Sequence, residues 1–442
     1  MAPQYAPSLR SRLGPLLFVL QTGFILIFAF CAEVDSNVNV NGSTFKDSYT
    51  DFQDVNVMVM FGFGFMCTFL VRHGFSAVGF NLLVATMTTQ WAIILNNVES
   101  WYYSGKIRLN MRSLVVAEIC TVSALVSIGA VLGKTNPVQL VFIALLEVSG
   151  FVLNEWLLLN LLKVRPGNSM MLLHIFGAFF GLTVTWILYR KDSEQRFEKE
   201  KVDHKSGLFS MLGTVFLWVF WPSFNSALLS GRSPVRKLEC VCSSYLALAV
   251  SAVTAAAVSV IFNPKGRFNL LHLQSCILSG GVAIGVSMPV VLQPWEAMLI
   301  GFAAAILSTI GFHLLQVGTT IKHGNCVLLL IHPKRALNSR SFLFFQIHML
   351  LAFQCHDTRA ILSTHGLPGL LGWLAHFILL IRQCDDHTTA VRFAVFHICT
   401  LLITITTSLS MGILTGTTAL CWDSLKCVTF RVSVTITHAK LR

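Results

Sequence analysis

The candidates for a functional ionisable group inside the apolar stretches of this chain are Glu118, Glu147, Glu155, His174, His272, Glu296, His365 and His376. A titratable group within a hydrocarbon-length segment is unfavourable enough to raise a functional question wherever it occurs. His272 and Glu296 lie near segment ends, where anchoring a helix terminus accounts for them. His174 is the one titratable side chain between Met170 and Gly181. His365 sits in Ser363-Thr364-His365-Gly366-Leu367-Pro368-Gly369, where glycine permits close backbone approach and proline interrupts a regular helix. A neutral imidazole accepts a hydrogen bond at one ring nitrogen and donates from the other. A facing pair would therefore line a narrow polar file without carrying permanent charge. That chemistry suits a small neutral or proton-exchanging solute better than a sugar or a lipid. The alternative is that each is a lone membrane histidine bonded to a neighbouring carbonyl.

A second dense patch, Trp218-Val219-Phe220-Trp221-Pro222-Ser223-Phe224-Asn225-Ser226-Ala227, lies near a helix end. It reads either as an interfacial aromatic belt or as rings that narrow a pore and face a desolvating cation. Gly280, Gly281 and Gly285 allow close helix contact. No metal-ligand cluster, His-Glu-x-x-His pair, phosphate loop or dinucleotide fingerprint is present, so the chain reads as neither an enzyme nor an ATP-driven pump, with no cofactor.

The elements that must position these groups follow from composition. Of 442 residues, 54% are hydrophobic and only 12% charged, against about a quarter charged in a soluble domain. Apolar runs near the roughly 20 residues that span a bilayer recur throughout. Crossings are expected at 13–32, 55–71, 75–96, 113–133, 137–162, 170–189, 208–229, 240–261, 270–292, 296–315, 361–382 and 391–416. This is an all-α polytopic membrane protein of about 12 helices. Residues 1–12 form a cytosolic amino terminus, 13–316 hold spans 1 to 10, 354–416 hold spans 11 and 12, and 417–442 form a cytosolic tail. The net charge of +12 is dispersed in short clusters between apolar runs, which points to juxtamembrane charge and away from nucleic acid. Cys31, Cys67, Cys120, Cys276 and Cys399 read as small buried hydrophobes.

Residues 33–54 carry five acidic residues and one basic, together with the glycosylation acceptor Asn41-Gly42-Ser43, and are expected to form an extracellular loop. Both termini are then cytosolic. The distribution of basic residues agrees only in part, because Arg190 to Lys205 falls inside while Lys106, Arg108, Arg112, Lys163 and Arg165 fall outside.

Several segments resemble the Rh branch of the Amt/Mep/Rh ammonium transporter superfamily. They are Phe52 to Val59 with Phe61-Gly62-Phe63-Gly64-Phe65, Gly74 to Gly79, Gly129 to Lys134, His174-Ile175-Phe176-Gly177 through Tyr189, Phe216 through Ala227, and His365-Gly366-Leu367-Pro368-Gly369. The resemblance covers most of the chain. It implies the family's twelve-helix inverted-repeat fold and a plasma-membrane trimer, as a homotrimer or with other Rh proteins. Each subunit would carry its own hydrophobic channel for ammonia, with carbon dioxide as a second permeant. Ammonium would be recruited at the outer mouth and deprotonated before passage. The family's paired pore histidines fall on His174 and His365, and one of its two gate phenylalanines on Phe224. Glycosylation of the first outer loop fits Asn41.

Three features depart from the family pattern. The second gate position falls on Ile119, beside Glu118 where aspartate is usual. The aspartate that precedes the first pore histidine by eight positions falls on Pro166, next to cationic Arg165, which would weaken recruitment of ammonium. Residues 317–353 fit neither a membrane helix nor the family's short connection there, and read as a translated intron or an inserted loop. The competing function is a non-transporting Rh-type scaffold, favoured by Ile119 and Pro166 and opposed by the retained histidines.

Overall fold

The computed structural model describes residues 12–35, 42–66, 74–132, 135–188, 204–229, 234–262, 266, 268, 270–321, 357, 359–384 and 386–439. Helix α1 (Gly14–Cys31) leads into strand β1 (Ala32–Val34), and helix α2 (Gly42–Val57) continues through a π turn (Met58–Phe63) and one α turn (Gly64–Met66). Then come α3 (Gly74–Asn96), α4 (Val98–Ser104), strand β2 (Ile107–Leu109), α5 (Met111–Val131), α6 (Pro137–Leu161), α7 (Pro166–Met170) and α8 (Leu173–Ile187). The remainder comprises α9 (His204–Ser226), α10 (Pro234–Phe262), α11 (Leu270–Cys276), α12 (Ser279–Ser287), α13 (Pro294–Ile321), a π turn (Leu362–Gly366), α14 (Leu367–Arg382) and α15 (His387–Ala439).

Local sequence explains where the central helices begin. Asn110 Oδ1 accepts from the Ser113 amide at 2.8 Å while the Ser113 hydroxyl receives the Asn110 amide, a reciprocal cap for α5. Asn136 and Gln139 cap α6 in the same way, and Pro137 stands in its first turn, where a missing amide is tolerated. Every α5 residue from Ala117 to Val131 is buried, so this helix lies at the heart of the bundle. It packs against α8, α3 and α6, and α8 in turn packs against α15.

Among the described residues, ten helices are long and apolar enough to cross a membrane. The two other expected crossings take different forms. The helix expected from residue 55 begins at Gly42, so most of the expected extracellular loop 33–54 is helical. Asp51 is buried there because Lys237 Nζ of α10 reaches its carboxylate at 2.7 Å. The crossing expected at 270–292 is divided at Ile277–Leu278 into α11 and α12 and ends in a 3-10 turn, Met288–Val290. The all-α expectation needs one amendment, a short parallel ladder pairing Ala32 with Ile107 and Val34 with Leu109. Helix α13 runs to Ile321, taking up the first residues of the expected insertion, whose remainder lies outside the described residues, as do Asn41 and 189–203. The expected tail from 417 is helical to Ala439 as the end of a 53-residue helix, about 80 Å long at 1.5 Å per residue. Cys120 and Cys276 are buried as expected, whereas Cys31 and Cys399 are only partly so.

Candidate functional site

His174 stands in the first turn of α8 and His365 in the π turn before α14. A π turn accommodates an extra residue, which swings the following side chains round relative to an α-helix. Pro368, in the first turn of α14, has no amide to contribute there, consistent with the interrupted helix. Gly369 lies against α8, where a Cβ would come within 2.8 Å of Ile175. Across this contact His174 Nδ1 and His365 Nδ1 are 3.2 Å apart, with the residues 1% and 2% exposed.

Two nitrogens at that distance share one proton, so one ring donates and the other accepts. The donating ring then has a lone pair at its Nε2 and the accepting ring has Nε2–H. The pair thus offers one acceptor and one donor at its outer nitrogens, and the two exchange only when, as the shared proton crosses, the former donor ring gains a proton at Nε2 and the former acceptor ring loses its own there.

Aromatic rings enclose the pair. Trp221 stacks on His174 at 5.7 Å between centroids, Phe224 lies tilted at 6.4 Å from the same ring, and Phe63 stacks on His365 at 6.5 Å. Phe224 and the two histidines, each singled out in the sequence, are therefore brought together. Trp221 belonged to an aromatic patch with two readings, and its place over the imidazole needs the space at Gly281, where a Cβ would come 2.6 Å from Trp221 Nε1. Phe63 carried no site signal beyond the family segment containing it. His174 Nε2, Trp221 Nε1 and Asn225 Oδ1 are buried without hydrogen-bond partners among the described residues. An apolar cluster with a few orphaned donors and acceptors is suited to a small solute able to hydrogen-bond.

The α8 backbone behind His174 is fixed by α5. Ser127 Oγ donates to Gly177 O at 2.8 Å, and Ser123 Oγ lies 3.3 Å from Leu173 O. Ser123 Oγ donates its one proton to Glu147 Oε1 at 2.5 Å, and Ser127 Oγ lies 3.4 Å from the same oxygen, which explains that buried acid as a structural acceptor. Glu118 and Ile119 lie about one turn before Ser123 on α5 and are buried, Glu118 with Oε2 unpartnered among the described residues. No ring or hydrogen-bond contact joins either to the histidine pair among the described residues. Glu155 accepts from Ser169 Oγ at 2.9 Å, which ties a carboxyl to the turn containing Pro166. Glu296 accepts the amides of Leu292 and Gln293 and pairs with Arg382, the terminus-anchoring role expected of it. His376 bonds the Val286 carbonyl at 2.9 Å, the blander alternative for a membrane histidine. The His272 side chain lies outside the described residues. No group of three metal-binding side chains occurs among the described residues.

The profile of the Ammonium Transporter Family matches residues 16–333 of this chain. "Ammonium transporter Rh type C" of Rattus norvegicus is 36% identical over 393 residues, covering 86% of this chain and 73% of the relative. "Ammonium transporter Rh type B" of Danio rerio is 36% identical over 376 residues, covering 83% and 75%. Among solved structures, Rh50 of Nitrosomonas europaea, described with the mechanism of conduction by the Rhesus family of channels, superposes with a TM-score of 0.69 at 26% identity, covering 86% of this chain and 89% of that one. Mep2 of Saccharomyces cerevisiae shares the fold, with a TM-score of 0.61 at 14% identity and 86% coverage of each chain.

Proposed function

Because the chain belongs to the ammonium transporter family, we propose that it is a facilitative channel carrying ammonia across the membrane along the rings around His174 and His365. The observation that carries this reading is the contact between the two buried imidazoles, Nδ1 to Nδ1 at 3.2 Å. Ammonia both donates and accepts hydrogen bonds, matching the outer nitrogens of a pair that shares one proton. A desolvated ammonium ion among these rings would be far costlier, so the cation sheds its proton before entering. Trp221 and Phe224 bound the file on the His174 side and Phe63 on the His365 side. Ile119 stands at the second gate position, and Glu118 is the acid that draws ammonium towards it. Carbon dioxide, also small and uncharged, is a second permeant. The channel works as a trimer in the plasma membrane, alone or with other Rh proteins. Both its termini are cytosolic and Asn41 is its glycan acceptor.

In proteoliposomes of verified orientation and trimer content, an imposed ammonia gradient should alkalinise the interior faster than in protein-free vesicles. His174→Leu with His365→Leu should abolish the acceleration while leaving the trimer intact. Equal transients from the wild type and the double variant would refute the pore role of the pair. A non-transporting scaffold is the second reading, favoured by Ile119 in place of a gate ring, and an assembled wild type matching empty vesicles would support it.

A further inference from the structure

We infer that Asp54 and Ser223 form a positioning contact that holds the Phe224 ring against His174 and so sets how bulky a neutral amine can pass; the consequence for passage rests on the transport reading above. Phe224 stands in the last turn of α9, which ends at Ser226 and gives way to a 3-10 turn, Ala227–Leu229. Pro222 lies inside the same helix, where it contributes no amide and its ring crowds the carbonyl four residues back. The turn therefore has few ties of its own and depends on those made to other helices. Ser223 Oγ donates to Asp54 Oδ2 of α2 at 2.7 Å, across 169 residues of sequence. Asn225 Nδ2 donates to Ser244 Oγ of α10 at 3.0 Å and to the Gly281 carbonyl of α12 at 3.2 Å. Residues 223 and 225 lie about 200° apart around a helix, so the two anchors act on opposite sides of the residue between them. With both in place the turn cannot rotate about its axis. Phe224 stays buried, its ring centroid 6.4 Å from that of His174 and 6.1 Å from that of Trp221.

The Asp54 bond is the stiffer anchor, because a hydroxyl donating to a carboxylate makes a bond about twice as strong as a neutral one. Asp54 is itself held, since Asp51 one turn earlier on α2 is bound to Lys237 Nζ at 2.7 Å. The same element continues through its π turn to Phe63, which stacks on His365. One strut thus braces a ring on each imidazole of the pair. A fixed apolar wall discriminates against one added methyl group by roughly 10-fold, whereas a ring free to swing yields to it.

The test reconstitutes full-length wild type, Ser223→Ala, Asp54→Ala, Asp54→Asn and Phe224→Ala. Internal alkalinisation is recorded under equal gradients of ammonia and of methylamine, with the rates in protein-free vesicles subtracted. The ratio of the two rates does not depend on how much protein is active, so a variant that is merely less stable leaves it unchanged. Ser223→Ala and Asp54→Ala should each raise the methylamine-to-ammonia ratio at least ~3-fold, part of the ~10-fold expected of Phe224→Ala. Asparagine offers Ser223 an oxygen acceptor without the charge, so Asp54→Asn should stay within about 2-fold of wild type. Adding Ser223→Ala to Phe224→Ala should change nothing further, since the serine acts through the ring. An unchanged ratio in assembled Ser223→Ala, or an Asp54→Asn ratio equal to that of Asp54→Ala, overturns the contact. Independently of flux, 4-fluorophenylalanine in place of Phe224 gives a fluorine resonance shifted by the Trp221 and His174 rings. Ser223→Ala should move it and Asp54→Asn should not; an unmoved resonance in Ser223→Ala overturns the contact. A moved resonance in protein that passes neither amine upholds the contact and overturns the transport reading alone. If Ser223→Ala does not assemble, Asp54→Ala decides in its place by the same two measurements.

Discussion

His174 and His376 are both buried imidazoles on apolar helices, and only their partners distinguish them. His376 is held by the Val286 carbonyl, whereas His174 faces a second histidine 191 residues away in sequence. Composition marked both as unusual, but no local pattern could disclose a contact across that separation, and the family motif supplied the pairing. Phe224 was legible for the same reason. Trp221 was less so, since the aromatic patch that holds it had two readings and only its stacking on His174 places it. Pro166 shows the reverse. The sequence registers a lost carboxylate there, while the fold retains Glu155 against the same turn through Ser169. Pro166→Asp would set an acid beside Arg165 at the start of α7, where a negative charge also suits the helix dipole. The expected result is a lower ammonium concentration for half-maximal flux in proteoliposomes. An unchanged concentration dependence would mean that recruitment at this turn does not limit transport.

At the scale of elements, hydropathy found the long buried helices and failed where polarity is compensated in three dimensions. Helix α2 begins thirteen residues before the expected crossing because Lys237 neutralises Asp51 across the packed face. A window that counts charges along the chain cannot register a partner on α10. The two π turns, Met58–Phe63 and Leu362–Gly366, were equally illegible, since an extra residue in a turn leaves no compositional trace. The first ends at Phe63 and the second holds His365 one residue before its end, and these two rings stack on each other. The second π turn follows Ala360, whose φ of 53° lies in the left-handed region that a Cβ disfavours by about 1–2 kcal/mol. Ala360→Gly should relieve that penalty and, after the larger entropy loss of glycine on folding, stabilise the protein by about 0.5–1 kcal/mol. The check is a rise in the melting temperature of the detergent-solubilised protein, with ammonia flux unchanged. A fall in melting temperature would contradict this account of the turn.

For the whole molecule, the polar groups converge inwards and the outer surface is apolar. Val253 of α10 is 72% exposed and Phe18 of α1 is 76% exposed, as hydrocarbon-facing residues should be. Val253→Arg should therefore oppose membrane integration by about 3 kcal/mol, seen as loss of correctly inserted protein with the histidine pair unaltered. Full insertion would mean that this face meets water or protein. The 191-residue separation between His174 and His365 also bears on biosynthesis. Helix α8 enters the membrane long before the segment bearing its partner exists, and at about 5–20 residues per second the ribosome needs ~10–40 s to supply it. During that interval the nascent bundle has one half of the histidine pair and not the other, so the proposed path cannot open in an unfinished chain while it waits to be completed.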